Sequence, residues 1–261
     1  MTTLAHITII AAVISAFYCT SAQEDQRPAY HLTPESGHWI NDPNGPFYDS
    51  TFNMYHLFAQ YNPAAPIWGN MSWVHWQSTD LVKWELLPVA IFNDQSYDIG
   101  GAFSGSIQTL SDNTPLMLYT CVDANGEERQ CIASPSDSAD PSRTKWTKSS
   151  TNPFLDYTSL PAGYVPSNFR DPAIWQKSDQ SGYWVAMAAE LSGVGTVALY
   201  DCAFISTPLL ASEEITSKCT YKSSLWRSDW PSSAYNTYMV ECPDFYPVEQ
   251  GEGGGGDKGV G

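Results

Sequence analysis

The sequence predicts an all-β fold, and three observations support that prediction. Aromatic residues, which favour strands, make up 13% of the 261 residues and include ten Trp and fifteen Tyr. Charged residues make up only 15%, which disfavours both disorder and exposed helices. Beyond the N-terminal region, no amphipathic helical pattern extends over ten or more residues. A chain of this length can bury a substantial core.

The first element is the stretch Trp39–Gly45, which combines one carboxylate, two side-chain amides and an indole. Pro43 removes a backbone donor, and the pair Asn44-Gly45 favours a tight turn. We therefore expect a strand to end here, with Asp42 at the break. An ordinary polar turn would explain the same residues, so the rest of the chain must decide.

Downstream of this stretch, apolar and aromatic runs alternate with clusters of Gly, Pro, Asn, Asp and Ser. This alternation is typical of short strands joined by turns. The predicted strands include Met54–Gln60, Ser72–Gln77, Ser104–Thr109, Leu116–Cys121, Tyr183–Ala188 and Thr196–Asp201.

A coarse repeat organises these strands. Asp42, Ser104, Asp171 and Glu241 each lie beside turn residues and close to an apolar run, at separations of 62, 67 and 70 residues. Units of this length have room for four strands, which predicts blades of a β-propeller. A long β-sandwich is the alternative, but it would not explain why a polar residue recurs at the same position in each unit. In a propeller the inner strands line one channel, so these side chains would converge.

The two ends of the chain differ from its middle. Residues 1–22 contain an apolar run followed by small residues, which predicts a signal peptide; the run is short for an uncleaved membrane anchor. Residues 23–250 are assigned to an incomplete propeller. Residues 251–261 are rich in Gly and predict a flexible loop or tail.

Charge and cysteine content restrict the partners and the compartment. The net charge of −16 excludes a basic nucleic-acid surface, and abundant aromatic side chains suit a neutral sugar ligand. Cys121 and Cys131 flank a turn and could form a disulfide in an oxidising compartment. Cys202 with Cys219 is a weaker second pair, which would leave Cys242 unpaired.

Three carboxyl groups in turn contexts are candidates for catalysis: Asp42, Asp171 in Arg-Asp-Pro, and Glu241 in Glu-Cys-Pro. Glycoside hydrolysis needs one carboxylate nucleophile and one carboxylic acid, about 5 Å apart in retaining enzymes. We expect Arg170 to keep Asp171 ionised. Glu241 must hold its proton, so we expect a dry setting beside Cys242 and Phe245. Each motif alone is also an ordinary turn.

Together, in this order, the blocks Trp39–Gly45, Phe169–Pro172 and Glu241–Phe245 resemble glycoside hydrolase family 32. That family comprises invertases, fructanases and fructosyltransferases. Gln60–Pro63, Trp68–Asn70 and Phe103–Ser106 support the resemblance, which extends from about residue 31 to 248. The family fold is a five-bladed propeller followed by a β-sandwich. Relative to it, we expect a C-terminally truncated chain with about three blades and the start of the fourth.

The resemblance implies a role for each matching residue. Asp42 would be the nucleophile, Asp171 the transition-state stabiliser and Glu241 the general acid and base. Cys242 would lie against Glu241 and modulate its acidity. The family uses no metal and no organic cofactor. The fructosyl pocket would be formed by Asn41, Gln60, Trp68, Phe103, Ser104 and Arg170.

Three functions follow from the resemblance. The first is a secreted retaining β-fructofuranosidase acting on sucrose or fructans, with the vacuole and cell wall as alternative destinations. The second is a fructosyltransferase that uses the same pocket. The third is an inactive, truncated sugar-binding protein. A small-molecule or oligosaccharide substrate is expected in each case, without nucleic acid and without a membrane after signal removal.

Overall fold

The computed structural model describes residues 31–209, 212–228 and 238–245, and within them the chain is almost entirely β. The predicted signal peptide (1–22) and Gly-rich tail (251–261) lie outside the described residues. One turn of 3₁₀ helix, Tyr157–Ser159, interrupts the strands. None of the helical structure in the described ranges is long and apolar enough to cross a membrane.

In the described part of the chain, twelve strands form three four-stranded antiparallel sheets, and in each sheet consecutive strands are neighbours. This arrangement confirms the all-β prediction and all six strands predicted above. Sheet 1 contains β1 (Trp39–Asp49), β2 (Met54–Asn62), β3 (Ser72–Ser78) and β4 (Glu85–Ile91). Sheet 2 contains β5 (Gly101–Thr109), β6 (Pro115–Val122), β7 (Glu128–Pro135) and β8 (Trp146–Lys148). Sheet 3 contains β9 (Tyr164–Gln176), β10 (Tyr183–Leu191), β11 (Val194–Leu209) and β12 (Ser212–Arg227).

The predicted repeat corresponds to the first strand of each sheet. Asp42 lies in β1, Ser104 in β5 and Asp171 in β9. Contacts join β1 to β5 and β5 to β9, so these three strands are neighbours. Four-stranded antiparallel meanders of this kind are typical of a propeller rather than of the two packed sheets of a sandwich. Glu241 lies in the described segment 238–245, which has no regular strand.

Two hydrophobic cores, on opposite faces of sheet 2, hold the sheets together. Every residue of β6 is buried, because successive side chains point to opposite faces and both faces are covered. Met117 and Tyr119 pack in the core shared with Trp73 of sheet 1. Leu116 and Leu118 pack in the core shared with sheet 3. Burying a side chain of this size contributes about 1.5–3 kcal/mol.

Both expected disulfides are present. Cys121 pairs with Cys131 across the β6–β7 hairpin, and Cys202 pairs with Cys219 across β11 and β12. Among the cysteines within the described ranges, Cys242 alone is outside a disulfide.

Candidate active site

A β-bulge occurs at the predicted site residue in each of the three first strands. The register with the neighbouring strand shifts at Asp42 in β1, at Ser104 in β5 and at Asp171 in β9. A bulge inserts one extra residue and re-aims its side chain, and it is often found beside active sites. The expectation that the first strand ends at Asp42 is therefore wrong, because β1 passes through the Asp-Pro step with a bulge and continues to Asp49.

Asp42 is held by a triangle of hydrogen bonds that joins sheets 1 and 2. Its Oδ2 accepts a hydrogen bond from Ser104 Oγ at 2.8 Å and one from Gln60 Nε2 at 3.3 Å. Gln60 Nε2 also donates to Ser104 Oγ at 2.5 Å. Next to this group, Asn41 Oδ1 accepts a hydrogen bond from the indole of Trp39 at 2.9 Å. The carboxylate therefore has a fixed orientation.

Asp171 is buried and held in a strained backbone conformation. Its φ of 58° is in the left-handed region, which non-glycine residues adopt rarely and mainly at functional sites. Thr120 Oγ1 accepts its N–H at 2.9 Å, and its Oδ2 accepts the N–H of Cys242 at 3.0 Å. Burial raises the pKa of Asp171, and the charges of Glu241 and Asp42 act in the same direction. The Cys242 N–H and Arg170 oppose this effect only in part.

Arg170 links Glu241 to Glu128 in addition to lying next to Asp171. Its Nη2 donates to Glu241 Oε1 at 2.7 Å, and its Nη1 contacts Glu128 Oε1 at 3.3 Å and Asn168 Oδ1 at 3.1 Å. The charge of Arg170 lowers the pKa of Asp171, in the direction expected from the sequence, but burial raises that pKa by more.

The surroundings of Glu241 also differ from the expectation. Its side chain is 65% exposed and pairs with Arg170. Phe245, which was expected to shield it, instead stacks on Trp175 with ring centroids 5.0 Å apart.

Cys242 contacts Asp171, with Sγ 3.7 Å from Oδ2. Burial, together with the nearby carboxylates, raises the pKa of the Cys242 thiol to about 12, so it remains protonated at neutral pH.

The candidate residues converge on one cavity of about 390 Å³. Ser104 and Cys242, the two predicted site residues that do not line it, line a neighbouring cavity of about 260 Å³ that shares Asp171. Across the described parts of the chain, no cluster of His, Cys, Asp and Glu has the geometry of a metal site. The 390 Å³ cavity is lined by Asn41, Asp42, Gln60, Trp68, Phe103, Glu128, Arg170, Asp171 and Glu241.

Two features of this lining suit a sugar. Trp68 and Phe103 meet edge to face with centroids 5.7 Å apart, and Trp68 is 59% exposed, so an apolar platform faces solvent. Gln60 Oε1 is buried and has no hydrogen-bond partner among the described residues. A sugar can pack its C–H faces against the two aromatic rings and donate a hydroxyl hydrogen bond to the Gln60 oxygen.

Glu128 is the one lining residue that the sequence analysis missed. It begins β7, is 5% exposed, and accepts the N–H of Phe169 at 2.7 Å. The sequence could have indicated Glu128, because the expected Cys121–Cys131 disulfide puts Cys131 on one face of β7. Strand alternation then puts Glu128 and Gln130 on the opposite face, which borders β9.

Comparison with known proteins assigns the chain to a family. The family model described as "Glycosyl hydrolases family 32 N-terminal domain" matches residues 31–258. The chain therefore belongs to glycosyl hydrolase family 32, as the motif resemblance indicated.

Among similar proteins, the vacuolar acid beta-fructofuranosidase 4 of Arabidopsis thaliana is 37% identical over 90% of this chain and 32% of its own length. The cell wall beta-fructofuranosidase of Pisum sativum is 39% identical over 87% of this chain and 38% of its own length. This chain spans about a third of the length of these curated relatives.

Solved structures agree with this assignment. Fructan 1-exohydrolase IIa from Cichorium intybus superposes with a TM-score of 0.70 at 34% identity, covering 85% of this chain and 37% of that one. A mutant of the Bombyx mori family 32 beta-fructofuranosidase, solved in complex with sucrose, superposes with a TM-score of 0.63 at 30% identity. That match covers 85% of this chain and 42% of the Bombyx mori chain.

Proposed function

We propose that this chain carries the catalytic centre of a retaining β-fructofuranosidase that cleaves the terminal β-D-fructofuranoside of sucrose or a fructan. The observation that carries the proposal is the single cavity of about 390 Å³ bordered by Asp42, Asp171 and Glu241. Its volume falls within the range of small-molecule sites. The kinship with beta-fructofuranosidases and with a structure containing sucrose supports the choice of substrate.

In the proposed reaction, a carboxylate oxygen of Asp42 attacks the anomeric carbon while Glu241 donates its proton to the departing glycosidic oxygen. This step forms a covalent fructosyl-enzyme. Glu241, now ionised, then takes a proton from water, and the water oxygen displaces Asp42 from the sugar. The hydrogen bonds from Ser104 and Gln60 support this role because they hold the attacking carboxylate in one orientation.

The other lining residues would bind the sugar. Asp171, fixed by the Thr120 hydroxyl and the Cys242 N–H, would accept hydrogen bonds from fructosyl hydroxyls that strengthen as positive charge develops on the ring. Asn41, Gln60 and Arg170 would bind further hydroxyls. Trp68 and Phe103 would pack against the apolar faces of the sugar.

A location in the secretory route is part of the proposal. Two disulfides favour an oxidising compartment, and the relatives are named as vacuolar and cell wall enzymes. The predicted signal peptide at residues 1–22 would direct the chain there.

Sucrose cleavage by the chain and by matched variants tests the function. Asp42→Asn keeps the shape of the side chain but removes the nucleophile, so we expect fructose release to fall at least about 10⁴-fold. Asp179→Asn, in an exposed turn of sheet 3, is the control and should retain full activity. Retained cleavage in Asp42→Asn would contradict the assigned nucleophile.

Sugar binding without turnover is the second candidate, and the exposure of Glu241 favours it. A general acid in a glycosidase usually lies in a dry, apolar setting, whereas Glu241 is 65% exposed. Calorimetric titration with sucrose separates the two candidates. Binding that depends on Trp68, without fructose release, would favour the second candidate. Absence of both binding and release would contradict both.

A further inference from the structure

One buried carboxyl group that lines the cavity has no role in the proposed reaction. Glu128 has a side chain that is 6% exposed, and it lies on β7 rather than on the first strand of a sheet. Its Oε2 accepts the N–H of Phe169 at 2.7 Å, and its Oε1 lies 3.3 Å from Arg170 Nη1. Glu128 thus contacts both the backbone of β9 and the Arg170 guanidinium.

The Arg170 guanidinium connects this buried carboxyl to an exposed one. Nη1 contacts Glu128, and Nη2 donates to Glu241 Oε1 at 2.7 Å. The side chains of Glu128 and Glu241 are 6% and 65% exposed, so the two carboxyls differ strongly in their access to water. Because the guanidinium is planar, a contact that fixes Nη1 also fixes the direction in which Nη2 points.

We propose that Glu128 is a positioning residue that anchors Arg170 and the adjacent β9 backbone, so that Arg170 holds Glu241 at the edge of the cavity. The inference rests on the proposed function, because it assigns Glu128 to the support of the general acid and base. Glu128 acts through Arg170, and its two oxygens are occupied by Phe169 and Arg170.

The charges around the cavity make this anchor sensitive to pH. Asp42, Glu128, Asp171 and Glu241 face a single cation, Arg170, among the described residues that line the cavity. Burial raises the pKa of Glu128 to about 7, with Asp171 adding to the rise while Arg170 and the Phe169 N–H oppose it. Below pH 7 Glu128 is therefore mostly protonated and binds Arg170 as a neutral acceptor. Above pH 7 it becomes a charged partner.

The variant Glu128→Gln tests the anchor because it keeps the shape of the side chain and stays uncharged at every pH. We expect kcat/KM of the variant to match that of the unsubstituted chain within about twofold below pH 6. Above pH 8 it should fall to about one tenth, through kcat rather than KM, since only the ionised form anchors Arg170 fully. Glu127→Gln is the matched control, because Glu127 is the neighbouring residue and pairs with Arg129. A ratio that does not change with pH would overturn the proposal.

A second measurement does not depend on catalysis, so it separates a failure of the inference from a failure of the proposed function. In a ¹³C NMR titration of Glu-labelled chain, we expect one carboxyl with a midpoint near pH 7. This signal should be present in Glu127→Gln and absent in Glu128→Gln. Arg170→Met should raise the midpoint, because it removes the nearby positive charge. A midpoint unchanged by Arg170→Met would overturn the proposed contact, whether or not the chain cleaves sucrose.

Discussion

The substitution Thr120→Val tests how the bulges of β5 and β9 are held together. Thr120 is fully buried on β6, and its Oγ1 accepts the N–H of Asp171 at 2.9 Å. The same hydroxyl lies 3.1 Å from the carbonyl oxygen of Ser104 and 3.2 Å from Gln130 Oε1, to one of which it donates. Valine has nearly the same shape as threonine, so the variant removes hydrogen bonds without opening a cavity.

The expected cost follows from the groups left unpaired. The variant leaves the Asp171 N–H without its acceptor and one buried oxygen without its donor, at about 1–3 kcal/mol each. We therefore expect the free energy of unfolding to fall by about 2–6 kcal/mol. We also expect kcat/KM to fall by about 100-fold, because Asp171 has a strained φ and would move away from the sugar.

Urea denaturation followed by Trp fluorescence, together with sucrose kinetics, measures both effects. Thr147→Val is the matched control, because Thr147 is exposed on β8 and its hydroxyl contacts that of Ser136 at 2.7 Å. We expect the control to stay within about 0.5 kcal/mol of the unsubstituted chain. A Thr120→Val variant as stable and as active as the control would refute the role given to Thr120.

Three further predictions concern stability. Arg143→Met should cost about 3–5 kcal/mol, because it leaves the carboxylate of Asp49 buried without its partner at 2.8 Å. The exposed Lys145→Met is its control, and an equal effect in both would contradict this reasoning. Burial lowers the pKa of His56 from 6.5 to about 4, so unfolding should become easier by about 3 kcal/mol as the pH falls through that window. In urea titrations, the stability of His56→Phe should therefore rise by about 3 kcal/mol relative to that of the unsubstituted chain as the pH falls from 6.5 to 4. The raised pKa of Glu128 has the opposite effect on stability. The free energy of unfolding should fall by about 3 kcal/mol as the pH rises from 4.5 to 7, and Glu128→Gln should abolish that loss.

The sequence was sufficient for features that depend on local pattern. Apolar runs between turn residues identified β6 and β10, and the 62- and 67-residue spacings identified the residues that the first strands bring together. The Cys121–Cys131 disulfide followed from two cysteines that flank a predicted turn, and Cys202–Cys219 was the second pair expected.

Features that depend on three-dimensional packing were not predicted. The Asp-Pro step of β1 was interpreted as the end of a strand, because a bulge and a turn use the same residue types. Arg170 was paired with its neighbour in sequence, although its hydrogen bonds reach Glu128 and Glu241, 42 and 71 residues away in the chain. Which face of β7 meets β9 depends on how the sheets pack, and Glu128 was missed for that reason.

Mapping the covalent intermediate tests the proposed chemistry most directly. The chain would be mixed with sucrose, quenched in acid within the first turnovers, digested with pepsin and analysed by tandem mass spectrometry. We expect one added hexosyl group on the peptide containing Asp42, and none in the Asp42→Asn variant. A hexosyl group on another carboxyl, or sucrose cleavage by Asp42→Asn, would contradict the assignment of Asp42 as the nucleophile in this cavity.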